Sequence, residues 1–252
     1  MKKEKHVDKL LLEEPDDDFP FYNQQPIKIN GNQWCVILGM MVMGFIIFSK
    51  MHLPFLSTEV NTILKVITLP FFSWLGLVLT VGKEWHQLFR PLRKKDIGTI
   101  LLFTLLSIIV SLFLSRIANL MEPLNSNPGA IENTGTTAIQ YFLKSRLLDV
   151  IQLFGEEFLA ILPFLACLQW LYRYNPKKRT RAVWLALLIS SLLFGILHLP
   201  TYNWNLVQCL VVIGLGRIVD TLAYVKTKNL WVTYLMHLLY DTIFFTLGFL
   251  FG

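Results

Sequence analysis

The sequence predicts an all-α, polytopic membrane protein of about seven transmembrane helices, and three observations carry that prediction. Of 252 residues, 54% are hydrophobic and 16% charged, with a mean hydropathy of +0.51; a soluble domain of this length has shorter apolar runs and more charge. The apolar residues gather into seven segments, near 34–49, 59–82, 97–118, 143–172, 182–200, 206–225 and 230–251, each near the roughly 20 residues that a helix needs to cross a bilayer. The connecting loops alternate between basic and poor in Lys and Arg, as positive-inside topology requires.

Residues 1–33 mix Lys2, Lys3, Lys5 and Lys9 with the acidic Glu13, Glu14 and Asp16 to Asp18, interrupted by Pro15, Pro20 and Pro26. This composition reads as a flexible tail with at most a short amphipathic turn near Leu10 to Leu12. Residues 34–142 hold the first three transmembrane segments, and 143–252 the rest. The basic loops are Lys83 to Lys95, Arg173 to Arg181, and Lys226 with Lys228, whereas Glu122 to Thr137 has no Lys or Arg. The pattern places the tail and basic loops in the cytoplasm and the C-terminus outside, in a multi-pass protein of the cell membrane. No short apolar segment with a small-residue cleavage site precedes the first long one, so no cleavable signal is expected. The net charge of +6 lies in short loops rather than on a face that could follow phosphates, which argues against nucleic acid binding. Cys35, Cys167 and Cys209 each sit in an apolar run without metal-site spacing and read as reduced packing residues.

Charged and polar residues inside these segments are costly, and they mark function. Glu156 and Glu157 interrupt the fourth segment. Phe194 and His198 lie four apart late in the fifth, so a ring can wall a cavity beside an imidazole. Arg217 and Asp220 lie in the sixth, and their spacing of three reads most simply as an intrahelical ion pair. His237 and Asp241 share one face of the seventh. Adjacent glutamates are about 100° apart around a helix, so one of the pair should act at a centre while the other supports it or pairs elsewhere. Glu and His together suit water activation: a carboxylate in low-dielectric surroundings becomes a competent base near neutral pH, and imidazoles bind a metal, donate to an oxyanion or hold the water. Taken singly, each His reads as an interhelical hydrogen-bond partner and each Glu as a structural pair or proton relay. Tyr202, Trp204, Trp231 and Tyr234 read as interfacial belt residues. The functional case rests on the set.

Two adjacent Glu, then Phe-x-x-x-His, then His-x-x-x-Asp, in that order and each in an apolar segment, resemble the CPBP family of CAAX proteases and bacteriocin-processing proteins (also labelled Abi), which includes the type II CAAX prenyl endopeptidases. The resemblance covers about residues 145–245. It implies a catalytic helical bundle in the C-terminal two thirds of the chain and an intramembrane endopeptidase entered from the cytoplasmic side, acting on a membrane-associated peptide or protein in the lipid bilayer. Carried over by motif, Glu156 would activate water with Glu157 beside it, His198 would be its catalytic partner, and His237 and Asp241 would bind the oxyanion or the water. The family is described both as metalloproteases and as metal-free glutamate-type proteases. Glu156, His198 and His237 would suit a catalytic zinc with one open position, and the same residues would serve without metal.

Two features depart from the pattern. The family's first motif is usually Glu-Glu-x-x-x-Arg, and here Ile161 stands at the Arg position, with Arg146 or Arg217 as substitutes from elsewhere. Counted from the nearest basic loop at ~1.5 Å per residue, Glu156 and His198 lie about 25–28 Å deep and His237 about 12 Å. Bringing them together requires the fourth and fifth segments to project into the cytoplasm, or a helix to break near Pro163 or Pro200. The missing arginine motivates an alternative, a non-catalytic membrane protein acting in bacteriocin self-immunity or as a scaffold for a membrane partner. Intramembrane Glu and His would also fit a transporter or proton relay, against which the lack of an inverted repeat counts. The acidic patch of the tail reads as solvated, or as a dock for a basic peptide leader.

Overall fold

The computed structural model describes residues 8–131 and 135–251 and is all-helical over them. Seven helices are long and apolar enough to cross a membrane, and the chain is a multi-pass membrane protein. Helix α1 (Gly31–Lys50) starts at a capping box in which Asn30 and Gln33 satisfy each other's backbone N–H. Helix α2 (Thr58–Val81) is capped by Ser57, contains Pro70, and runs into a 3-10 turn, Gly82–Leu88. Then come α3 (Lys94–Met121), α4 (Thr136–Tyr174) and α5 (Arg179–Leu197). A π-helical stretch, Gln208–Leu215, leads into α6 (Gly216–Thr227), and α7 (Leu230–Phe251) follows.

Helix α4 is the axis of the bundle, packed against α1, α2, α5 and α7, while α3 covers α6 and α7. Its stretch from Gly155 to Leu165 is buried throughout. Two glycines permit the closest helix contacts. A Cβ on Gly155 would meet the Leu69 Cγ and Pro70 Cδ atoms of α2 at 2.8 Å. A Cβ on Gly195 would collide with the Cys209 carbonyl of the π stretch. These approaches fix the two neighbourhoods that carry Glu156 and His198. Helix α4 does not break at Pro163. It continues for 39 residues, about 58 Å, or nearly twice the ~30 Å hydrocarbon thickness, so it overshoots the apolar layer. Helix α5 stops at Leu197, ahead of Pro200.

The flexible tail expected at the N-terminus is corrected by the fold. Residues 1–7 lie outside the described residues, but 8–30 pack onto the basic end of the bundle. Phe19, Phe21, Tyr22 and Ile29 are buried. Phe19 lies 5.4 Å from Phe164, and Tyr22 lies 4.9 Å from Tyr172 (ring centroids), so this segment wraps the last turns of α4. Gln169 of α4 accepts from Trp34 Nε1 at 2.7 Å and donates to the Phe21 and Ile29 carbonyls at 3.2 and 3.0 Å. Within the acidic patch, Glu13, Glu14, Asp17 and Asp18 pair with the chain's own basic loops. Arg179 donates to both oxygens of Glu13 at 2.7 Å and to Asp18 at 2.8 Å. Lys228 reaches Glu13 at 2.7 Å, Arg93 and Lys95 reach Glu14 at 3.1 and 2.8 Å, and Arg90 pairs with Asp17. All three basic loops therefore lie at one end of the bundle. Burial alone would raise the Glu13 carboxyl, but the Arg179 and Lys228 cations outweigh it and hold the group at about 2. The sequence reading treated this patch as solvated because its partners lie up to 215 residues away.

Candidate active site

Four of the five residues singled out by motif line one cavity of about 500 Å³. Glu156, His198, His237 and Asp241 line it, together with Arg217 and Asp220. Glu157 does not: it points away into the bundle and is 0% exposed, against 8% for Glu156.

Helix geometry makes this division. Glu156 faces α5, where Gln152 Nε2, one turn earlier, donates to its Oε1 at 2.9 Å. Its Oε2 stands 3.9 Å from His198 Nε2. His198 lies just past the end of α5, with its ring against Phe194 (centroids 4.6 Å apart). Its Nδ1 lies 2.8 Å from the Phe194 carbonyl; a carbonyl only accepts, so Nδ1 carries a proton, and Nε2 is the nitrogen that faces Glu156.

Glu157, turned about 100° from Glu156, meets α6 and α7. Arg217 Nη2 lies 2.7 Å from its Oε2, an ion pair whose angles fall short of a hydrogen bond. His237 Nδ1 lies 2.9 Å from its Oε1. Arg217 Nη1 also approaches His237 Nδ1, at 3.2 Å; the carboxylate is closer and opposite in charge, so Nδ1–H donates to Glu157. Asp241 Oδ2 stands 4.0 Å from His237 Nε2. Arg217 has a second, looser carboxylate in Asp220 at 3.6 Å, and Asp220 accepts from Ser107 at 2.6 Å. The Arg217 guanidinium also lies 4.6 Å from the centre of the Phe194 ring, a cation–π contact.

Two expectations change. Arg217 is more than an intrahelical partner of Asp220, since its shortest contact is Glu157. It supplies from α6 the guanidinium that Ile161, buried in the core, does not. Arg146, the other substitute considered, pairs with Asp149 at 2.7 Å and lies over the Phe245 ring. Among the aromatic residues read as a belt, Tyr202 and Tyr234 are buried: Tyr202 lines the cavity, and Tyr234 donates to the Val150 carbonyl at 2.8 Å. The Tyr234 hydroxyl thus finds its partner inside the bundle rather than at a lipid interface.

Asp149, Gln152 and Tyr240 also line the cavity and were missed in the sequence. For Asp149 and Gln152 the signal was present: with Glu156 they are spaced three and four apart, one helix face in a segment otherwise apolar.

Zinc on Glu156, His198 and His237 does not fit the side chains as placed. Among the described residues no three His, Cys, Asp or Glu side chains stand close enough together to hold a metal ion, and the His237 Nδ1 edge faces Glu157 and a guanidinium. The exposed residues of the cavity wall are Asn127, Pro128 and Thr201, at the end of the bundle away from the basic loops, although the resemblance implies entry from the cytoplasm.

Residues 137–243 match the family model of the type II CAAX prenyl endopeptidase Rce1-like domain. This segment contains Glu156, Glu157, Phe194, His198, His237 and Asp241, and the match supports the resemblance to the CAAX protease family that the motifs carry. The family is one of proteases. No curated protein and no solved structure matches the chain.

Proposed function

We propose that the chain is an intramembrane endopeptidase that hydrolyses a peptide bond in a membrane-associated protein or peptide, with Glu156 as the base that activates water. The observation that carries this reading is the unequal fate of the two glutamates: Glu157 is held by Arg217 and His237, whereas Glu156 faces the cavity beside the His198 imidazole. At 3.9 Å, Glu156 and His198 Nε2 are too far apart for a direct hydrogen bond and close enough for one water to bridge them. That water donates one proton to Glu156 and hydrogen-bonds His198 with the other, leaving its lone pair for the scissile carbonyl. The oxygen attacks, Glu156 keeps the proton, and the negative charge moves to the carbonyl oxygen. His237, as an imidazolium between the carboxylates of Glu157 and Asp241, donates Nδ1–H to Glu157 and presents Nε2–H to that oxyanion. Collapse of the intermediate breaks the C–N bond, and Glu156 returns its proton to the leaving amine. Arg217 is a positioning residue that acts through Glu157 and His237.

The positive-inside pattern supports a cytoplasmic tail and basic end in the cell membrane. The absent motif arginine motivates the non-catalytic alternative, and Arg217, 2.7 Å from Glu157, supports the catalytic reading instead. The test is cleavage of a membrane-associated peptide library by the purified protein in lipid, beside Glu156→Ala, each with and without chelator. Cleavage that is lost in the mutant and kept in chelator supports this chemistry. Cleavage abolished by chelator and restored by zinc supports a metalloprotease. Unchanged cleavage by Glu156→Ala refutes the role of Glu156. A cellular immunity or scaffolding phenotype that survives Glu156→Ala with His198→Ala supports the alternative.

A further inference from the structure

The two ends of the bundle are built differently. At the basic end the N-terminal segment closes the bundle: Phe19, Phe21 and Tyr22 are buried against α4 and α6, and Glu13 is locked between Arg179 and Lys228. Leu159 and Arg217, which line the cavity toward that side, are buried. At the opposite end the cavity wall reaches exposed residues, Asn127 and Pro128 after α3 and Thr201 after α5. The rim there is braced. Asn125 N donates to Gln208 Oε1 at 2.8 Å, Gln208 Nε2 returns a bond to the Asn125 carbonyl at 2.9 Å, and Arg146 donates to the Gly129 carbonyl at 3.2 Å. The mouth is thus framed by segments tied to α4 and to the π stretch.

Charge orients this polarity. Seventeen of the 23 Lys and Arg residues lie in the tail and the three basic loops, while residues 122–135 and 198–207 hold none. A bias this large in short loops sets orientation, with the basic end in the cytoplasm. We propose that the catalytic cavity opens on the extracytoplasmic face of the membrane, and that the chain cleaves peptide segments presented there. This inference rests on the protease reading for its substrate class. A substrate offered only on the cytoplasmic leaflet, such as a cytoplasmic C-terminal prenylated segment, meets the closed end. The substrate class is instead a peptide that has crossed the membrane, or the outer juxtamembrane stretch of a membrane protein, with the scissile bond lowered into the cavity from outside.

The test is sided cysteine labelling of the full chain in intact cells, with Cys35, Cys167 and Cys209 replaced by Ser. Single cysteines are introduced at Thr201 on the rim, at Ser111 in the cavity wall, and at Lys177, an exposed residue of the basic end. None of these touches the proposed reacting groups, and a small membrane-impermeant thiol reagent is added before or after permeabilisation. The expected result is that Thr201→Cys and Ser111→Cys label in intact cells, whereas Lys177→Cys labels only after permeabilisation. The reverse pattern overturns the proposal, as does labelling of all three from one side. A Thr201→Cys that stays unlabelled after permeabilisation also overturns it, because the mouth would then be closed. The readout needs no catalysis, so failure of the protease reading would appear separately, as wild-type protein that labels as expected but cleaves nothing.

Discussion

Replacing Arg217 by Leu should cost more than any other single change near the cavity, because of what it leaves behind. Glu157 is fully buried, and its two oxygens are served by Arg217 at 2.7 Å and His237 at 2.9 Å. Removing the guanidinium leaves the carboxylate with one partner in a low-dielectric interior. Breaking a buried pair from one side costs about 3–5 kcal/mol, most of it the penalty on the orphaned charge. Replacing both partners by apolar groups of similar shape is often close to neutral. Arg217→Leu should therefore lower the unfolding midpoint in detergent strongly, whereas Arg217→Leu with Glu157→Leu should recover most of that loss, giving a coupling above about 2 kcal/mol. Position 161 lies one turn after Glu157 on the same face, so Ile161→Arg should recover part of the stability of Arg217→Ala. The assay is thermal or denaturant unfolding of each variant in the same micelle. A single-variant loss below about 1 kcal/mol, or strictly additive losses, would refute the pairing.

Three further outcomes follow from the same contacts. Glu13→Gln strips the carboxylate from Arg179 and Lys228 and should destabilise the protein by about 3–5 kcal/mol, read as a lowered midpoint in detergent. The Glu13 carboxyl titrates near 4.5 in the unfolded chain and at about 2 in the folded one, so its contribution, about 3 kcal/mol, is complete above pH ~4.5 and is lost as pH falls toward 2; the gap in stability between wild type and Glu13→Gln should close over that window. Gly155→Val places carbon atoms against Leu69 and Pro70, where even a Cβ would stand at 2.8 Å, so it should push α2 from α4, cost about 1–3 kcal/mol and reduce cleavage by displacing the adjacent Glu156.

Most of the helical plan was legible in the sequence. The seven apolar segments match the seven helices within a few residues, except that α4 starts seven residues earlier than the apolar run at 143, because its first turns are amphipathic. The motif residues were legible too, since polar groups stand out in a membrane segment. Their partners were harder to see. Arg217 reaches Glu157 across 60 residues, and only their meeting side chains, 2.7 Å apart in the fold, show that it supplies the guanidinium absent at Ile161. Residues 8–30 were misread because composition reports average solvation, whereas their order comes from specific long-range pairs, Glu13 with Arg179 and Lys228 above all. The depth mismatch between Glu156 and His237 arose from counting each helix from its own loop. With α4 extending unbroken through Pro163, those loop ends are not at one level.

The most direct test of the central claim, that Glu156 and not Glu157 activates the water, is to measure cleavage rate and unfolding midpoint together for Glu156→Gln and Glu157→Gln in lipid. Glu156→Gln should lose at least about 100-fold in rate, the usual worth of a general base, with its midpoint almost unchanged. Glu157→Gln should lose stability first, because it breaks the contacts with Arg217 and His237. Wild-type cleavage by Glu156→Gln, or a loss of activity there that only tracks a loss of folding, would contradict the account.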